Sequence, residues 1–142
     1  MEEERITIEL ETTPGFSLKE TTIKAWLETV VQEESKSISS LSFTICSDEF
    51  LLQINKEHLN HDYYTDIITF PYSYEPIESD IFISIDRVAD NAKEYGVSSQ
   101  QELARVFVHG VLHMCGYDDH EEEDKKLMRE KEDHYLAKLK LG

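Results

Sequence analysis

The chain has 142 residues and a formal net charge of −16, from 30 acidic against 14 basic residues. With 39% hydrophobic and 10% aromatic residues it suits one packed domain over residues 1–142 rather than a disordered polyelectrolyte. No apolar run approaches the ~20 residues of a membrane span, MEEERIT lacks the layout of a secretory leader, and two distant cysteines make no disulfide framework, so a cytoplasmic protein is expected.

Ile6, Ile8 and Leu10 alternate with polar residues and predict a strand. Pro14 and Gly15 mark a turn. Ser17 with Glu20 has the spacing of a capping box, and Leu18 to Val31 repeats apolar residues with helical period. Leu41 to Cys46 reads as a second strand, rich in β-branched residues. Asp48 is placed to cap a short helix carrying Phe50, Leu51, Ile54 and Leu59. Ile67–Tyr72 and Ile81–Ile85 predict two more strands, joined by a loop containing Pro76. A helix from Asp86 to Tyr95 stops at Gly96, and Ser99 with Glu102 repeats the capping-box spacing before a helix over Leu103 to Cys115. The last helix, Glu121 to Leu139, has Leu127, Met128, Tyr135, Leu136 and Leu139 as its apolar stripe. Four strands and about five helices, not strictly alternating, predict an α+β layered domain: a small mixed four-stranded sheet covered by helices.

The chemistry concentrates in HGVLHMCGYDDH, His109 to His120. Residues four apart on a helix share a face, so His109 and His113 can reach one metal ion. Two imidazoles in the otherwise apolar RVFVHGVLHMCGY would be costly to bury without partners, and a shared cation satisfies both. Gly116 offers a helix stop, and beyond it come Asp118, Asp119 and His120 as further donors. Two ligands from a helix and one from the returning chain leave a coordination position open, as a catalytic zinc site needs. In zinc peptidases of the His-Glu-x-x-His type the residue after the first histidine is a glutamate base. Here it is Gly110, which excludes that mechanism and points instead to the close approach of another element or a substrate. Cys115 reads as a small core residue rather than a ligand.

HGVLHMCGYDDH resembles the signature of the YbeY family of metal-dependent endoribonucleases, which act in ribosomal RNA maturation. LNHDYYTDIITFP (Leu59 to Pro71), SDIFIS (Ser79 to Ser84) and EYGVSSQQELARVFVHG extend the likeness over roughly Leu51 to Gly142. The resemblance implies one zinc ion and a third ligand six positions after His113. That position is Asp119, and a histidine follows one later, at His120. Asp119 is the simpler choice, because a tight turn after Gly116 leaves little slack; a one-residue bulge would present His120 instead. Asp66, in the matched Thr-Asp pair, would hydrogen-bond a metal-binding histidine or cap the strand after it. The family's arginine in the loop after Leu-Asn is missing. Phosphate stabilisation then falls to the metal or to Lys56, Arg87, Arg105, His58 or His61.

The resemblance implies a zinc-dependent, single-strand-specific endoribonuclease acting in 16S rRNA 3′-end maturation and ribosome quality control. Its partners would be single-stranded and ribosomal RNA with ribosomal proteins, and neither DNA nor a membrane. No residue is an evident general base, so the nucleophile would be a water activated by the metal or an RNA 2′-hydroxyl. Two alternatives stand beside this reading. One is a non-catalytic ribosome-associated factor with a structural zinc, favoured by the −16 charge. The other is a metal-dependent hydrolase of a different substrate.

Overall fold

A computed structural model describes residues 5–139, and the acidic run Glu2 to Glu4 lies outside them. The elements run β1 (Ile6–Leu10), α1 (Glu20–Glu33), β2 (Ile38–Cys46), α2 (Asp48–Leu59), β3 (Ile67–Tyr74), β4 (Ile77–Ser84), α3 (Ile85–Tyr95), α4 (Ser99–Met114) and α5 (Glu122–Leu136). The strands form one mixed sheet in the order β1-β2-β4-β3. β1 with β2 and β2 with β4 are parallel; β3 with β4 is antiparallel. This is the expected α+β architecture. Only Glu75 and Pro76 separate β3 from β4, so both strands run further than their apolar patterns suggest. β3 lies at the sheet edge, where Pro71 costs no ladder hydrogen bond on its open side.

Strand periodicity divides the interior in two. Leu41, Phe43 and Ile45 of β2, with Ile81 and Ile83 of β4, are fully buried in the main core, where α1 and α4 pack against one another and the sheet. Phe43 meets Phe107 of α4 edge to face, with centroids 4.8 Å apart, a geometry worth about 1 kcal/mol beyond area burial. Cys46 and Ile68 point to the opposite face, where Leu51 of α2 covers them beside Phe70 and Phe82. α4 therefore lies at the centre of the fold. A Cβ on Gly110 would stand 3.2 Å from both Ile67 Cδ1 and Ile81 Cδ1. The glycine thus serves close approach of the sheet, and this lets the histidine helix settle where β3 and β4 meet.

Several local expectations shift. The Ser17–Glu20 box does not form, because α1 begins at Glu20 with Lys19 before it and no side-chain cap. α2 is capped by Ser47, whose Oγ accepts from Phe50 N at 3.2 Å. Asp48 is instead bonded to Arg87 Nη2 at 3.0 Å and accepts from Ser84 Oγ at 3.0 Å. The capping box of α4 lies one residue earlier than expected, between Ser98 and Gln101, with both reciprocal bonds made. Leu127 is 44% exposed; the buried positions of α5 are Met128, Glu132 and Tyr135.

Candidate metal centre

From Glu102 to Met114, α4 is buried except at Arg105, His109 and His113, which are half-buried. Their spacing of four makes them a single stripe along the helix. The two histidines thus look out of the core at one place, one turn apart, as their spacing predicts.

Each imidazole is held from behind. His109 Nδ1 lies 2.8 Å from Oε2 of Glu132, which is 5% exposed on α5. His113 Nδ1 lies 3.1 Å from the carbonyl oxygen of Tyr117. A carboxylate and a carbonyl oxygen can only accept, so each Nδ1 carries a proton, and whenever the ring is neutral its lone pair lies on Nε2. The Tyr117 carbonyl is aimed by the helix stop itself. Gly116, with φ +108, donates to His113 O at 3.1 Å, and Tyr117 N donates to Leu112 O at 3.1 Å, the two bonds of a Schellman turn. The Tyr117 hydroxyl is not at the site: it donates to Glu34 at 2.7 Å.

His109 Nε2 faces Asp119 Oδ2 at 3.6 Å. His109, His113, Asp119 and His120 line one cavity of about 290 Å³ beneath the loop before β3. The structure therefore brings four of the five sequence-predicted donors to one pocket, with Asp119 in contact with His109, while Asp118 is not among the residues that line it. They are not drawn into coordination. Among the described residues no three His, Cys, Asp or Glu side chains stand close enough together to hold a metal ion.

The electrostatics still suit a cation. His109 and Asp119 also border a second cleft, about 580 Å³, with Asp66, Glu102 and Glu132 in its wall. Burial raises the Asp66 carboxyl above its usual range, against the pull of His109. Burial likewise raises Glu102, helped by Asp66 and Glu132 and opposed by Arg105. For His109, burial works to lower the pKa. The bond to Glu132 and the charges of Glu132, Asp119 and Asp66 outweigh it, so the net shift is upward. Clustered carboxylates around a ring with an open Nε2 fit a divalent cation. Cys115 fits no such role, because burial pushes its thiol up to about 12.

The cations named for the phosphate are mostly committed elsewhere. Lys56 pairs with Asp62 at 3.4 Å, and Arg87 is bound to Asp48 and lies over the Tyr64 ring. Arg105 reaches the cleft but is bridged to Glu132 at 2.8 Å and Asp133 at 2.7 Å. His58 makes edge contact with Phe70 on the other sheet face, and His61 alone of these five lines the cavity shared by His109 and His113. The sequence reading missed two residues. Glu132 occupies a buried position between Met128 and Tyr135 on α5, and Asn55 lies one turn after Leu51 on α2; each is a polar side chain on an apolar stripe.

Comparison with known proteins gives a consistent result. Residues 7–140 match the family model described as Endoribonuclease YbeY. Proteins of that description from Flavobacterium johnsoniae and Cytophaga hutchinsonii are each 48% identical to this chain. The first alignment covers 86% of this chain and 89% of the relative; the second covers 96% and 97%. A Thermotoga maritima protein solved in solution superposes with a TM-score of 0.69 at 31% identity, covering 92% of this chain and 86% of that one.

Proposed function

The chain belongs to the YbeY endoribonuclease family, and on that premise we propose that it is a single-domain, zinc-dependent endoribonuclease specific for single-stranded RNA. Its proposed role is 16S rRNA 3′-end maturation and ribosome quality control, with ribosomal RNA and ribosomal proteins as partners. Among the described residues no helix is long and apolar enough to cross a membrane, which is compatible with work at the ribosome.

One observation carries the metal reading: both histidines have Nδ1 bound to an acceptor, which in the neutral rings leaves the lone pair on Nε2, and both rings line one cavity. His109, His113 and Asp119 would hold the ion, and the 3.6 Å approach of Asp119 to His109 favours it over His120 as third ligand. When bound, the metal supplies Lewis-acid polarisation of the scissile phosphodiester and acidifies a water. The chain's own residues do the rest. Glu132 keeps the proton of His109 on Nδ1, and the Tyr117 carbonyl does the same for His113. Asp66, in the wall of the neighbouring cleft, adds negative charge beside His109.

The test is zinc content together with single-stranded RNA cleavage for wild type, His113→Ala, Asp119→Ala and His120→Ala. His113→Ala and Asp119→Ala should lose both, and His120→Ala should keep its zinc. Full zinc content in His113→Ala refutes the site. Loss of zinc in His120→Ala alone exchanges the third ligand. Zinc retained without cleavage of any RNA makes the protein a ribosome-associated factor with a structural metal.

A further inference from the structure

The wall of the metal cavity opposite α4 carries a pair of rings that the metal chemistry does not use. His61 and Tyr63 both line it, stacked with centroids 5.2 Å apart and planes 21° from parallel. The Tyr63 hydroxyl and His61 Nδ1 are hydrogen-bonded at 3.0 Å, which ties one ring to the other. Each ring covers one face of its partner, yet Tyr63 stays 54% exposed. An aromatic side chain half in water is not placed there by core packing.

It is nevertheless held firmly. Asn55, 1% exposed on α2, accepts from His61 N at its backbone carbonyl at 3.0 Å. The same residue donates from Nδ2 to the carbonyl oxygen of Tyr63 at 2.9 Å. One buried residue therefore ties the backbone at both ends of the dyad, His61 through its main-chain carbonyl and Tyr63 through its side-chain amide, and burying that amide without its bond would be costly. The clamp fixes an exposed aromatic surface at the rim of the cavity that holds His109, His113 and Asp119.

The chemistry of the rim selects the ligand. None of the residues lining this cavity is Lys or Arg, and the chain carries −16 overall. Lys56, the lysine beside the dyad, is paired with Asp62 at 3.4 Å, and the lining of the cavity itself supplies no cation for a phosphate chain. Stacking can supply the grip, because every nucleobase has a π-face and the contact needs no charge. We infer that His61 and Tyr63 form a stacking shelf for one nucleobase of single-stranded RNA, placing the adjoining phosphodiester at the metal cavity. A paired base has both faces occupied by its neighbours in the duplex, so the shelf also favours single strands.

This inference rests on the endoribonuclease reading, and its test keeps the two apart. Binding is measured by anisotropy on zinc-loaded protein, using a short single-stranded RNA with cleavage-resistant phosphorothioate linkages. Cleavage of the ordinary RNA is measured separately. Tyr63→Leu should weaken binding about tenfold and raise KM to match, with kcat and zinc content near wild type. Tyr63→Phe, which keeps the ring, should bind within about twofold of wild type. An abasic nucleotide scanned through the oligonucleotide should weaken wild type at one position and leave Tyr63→Leu almost unaffected there. Equal binding by wild type and Tyr63→Leu, or loss of zinc in Tyr63→Leu, overturns the shelf. Tenfold weaker binding by Tyr63→Leu with no cleavage by wild type supports the shelf and overturns only the nuclease reading. Failure of wild type to bind RNA overturns both.

Discussion

Glu132→Gln should weaken zinc binding by about tenfold to a hundredfold, or about 1.4–2.7 kcal/mol. The size of the effect follows from its position. One carboxylate oxygen accepts from Arg105 Nη1 at 2.8 Å and the other from His109 Nδ1 at 2.8 Å, and the side chain is 6% exposed. Glutamine has the same shape but one acceptor and one donor end. If its oxygen faces Arg105, its amide faces His109, and His109 answers by moving its proton to Nε2, the atom the metal needs. If the amide turns the other way it opposes a guanidinium, so a buried donor goes unmatched at a cost of about 1–3 kcal/mol in fold stability. Asp133→Asn is the control. Asp133 also pairs with Arg105, at 2.7 Å, but its side chain is 59% exposed, whereas Glu132 is the residue bonded to His109. Zinc affinity is read by competition with a chromophoric chelator at about pH 8, above the ordinary histidine range, so proton competition stays small. Unchanged affinity in Glu132→Gln, or an equal loss in Asp133→Asn, would refute the claim that Glu132 sets the ligand state of His109.

Three further outcomes follow from the same structure. Gly110→Ala should lower the melting temperature by about 3 °C, because overpacking against Ile67 and Ile81 outweighs the ~1 kcal/mol of helix propensity gained; a higher melting temperature would show that the two δ-methyls yield freely. Glu34→Gln should cost about 2 kcal/mol at neutral pH in urea denaturation. Burial raises the Glu34 pKa, but bonds from Tyr135, Tyr117 and Lys131 bring it below its ordinary value. Its stabilisation is therefore complete above that ordinary value and lost as pH falls through the depressed one, so the gap between wild type and Glu34→Gln should close in acid. Zinc binding should fall with pH from above the ordinary histidine value of about 6.5, because the His109 pKa is raised and the metal competes with its proton; affinity flat down to about pH 5 would contradict the assignment.

The contrast between what the sequence revealed and what it hid has a physical pattern. The histidine pair was legible because α-helical spacing puts His109 and His113 on one stripe whatever surrounds them. Gly116 was legible because a left-handed stop calls for glycine. Caps were misplaced by a residue at α2 and α4, since Ser47 and Asp48, or Ser98 and Ser99, are adjacent residues that can each serve, and only the approach of the chain decides between them. Tyr117 contributes a carbonyl, which the sequence does not encode as a residue type. Glu132 and Asn55 were missed for another reason. Periodicity marks apolar positions, so a polar residue on the stripe registers as an interruption. Met128, Glu132 and Tyr135 follow i, i+4 and i+7, and Leu51 and Asn55 follow i and i+4. A polar side chain kept on a buried stripe must be bonded there, which makes such interruptions a signal for residues that position a site.

The acidity of the chain, which at first weighs against RNA as a substrate, gains a different meaning once the carboxylates are located. Asp66, Glu102, Asp119 and Glu132 gather around His109, and burial drives Asp66 and Glu102 away from the charged state. Such a group repels a phosphate while it is bare. A divalent cation held by His109, His113 and Asp119 would relieve the crowding and reverse the local field. Affinity for RNA would then depend on the metal having bound first. The cavity offers no Lys or Arg as a substitute, and among the cations lining the neighbouring cleft Arg105 is already bridged to two carboxylates. Coupling substrate affinity to metal occupancy in this way gives a reason for an RNA-cutting family member to tolerate both a missing arginine and a charge of −16.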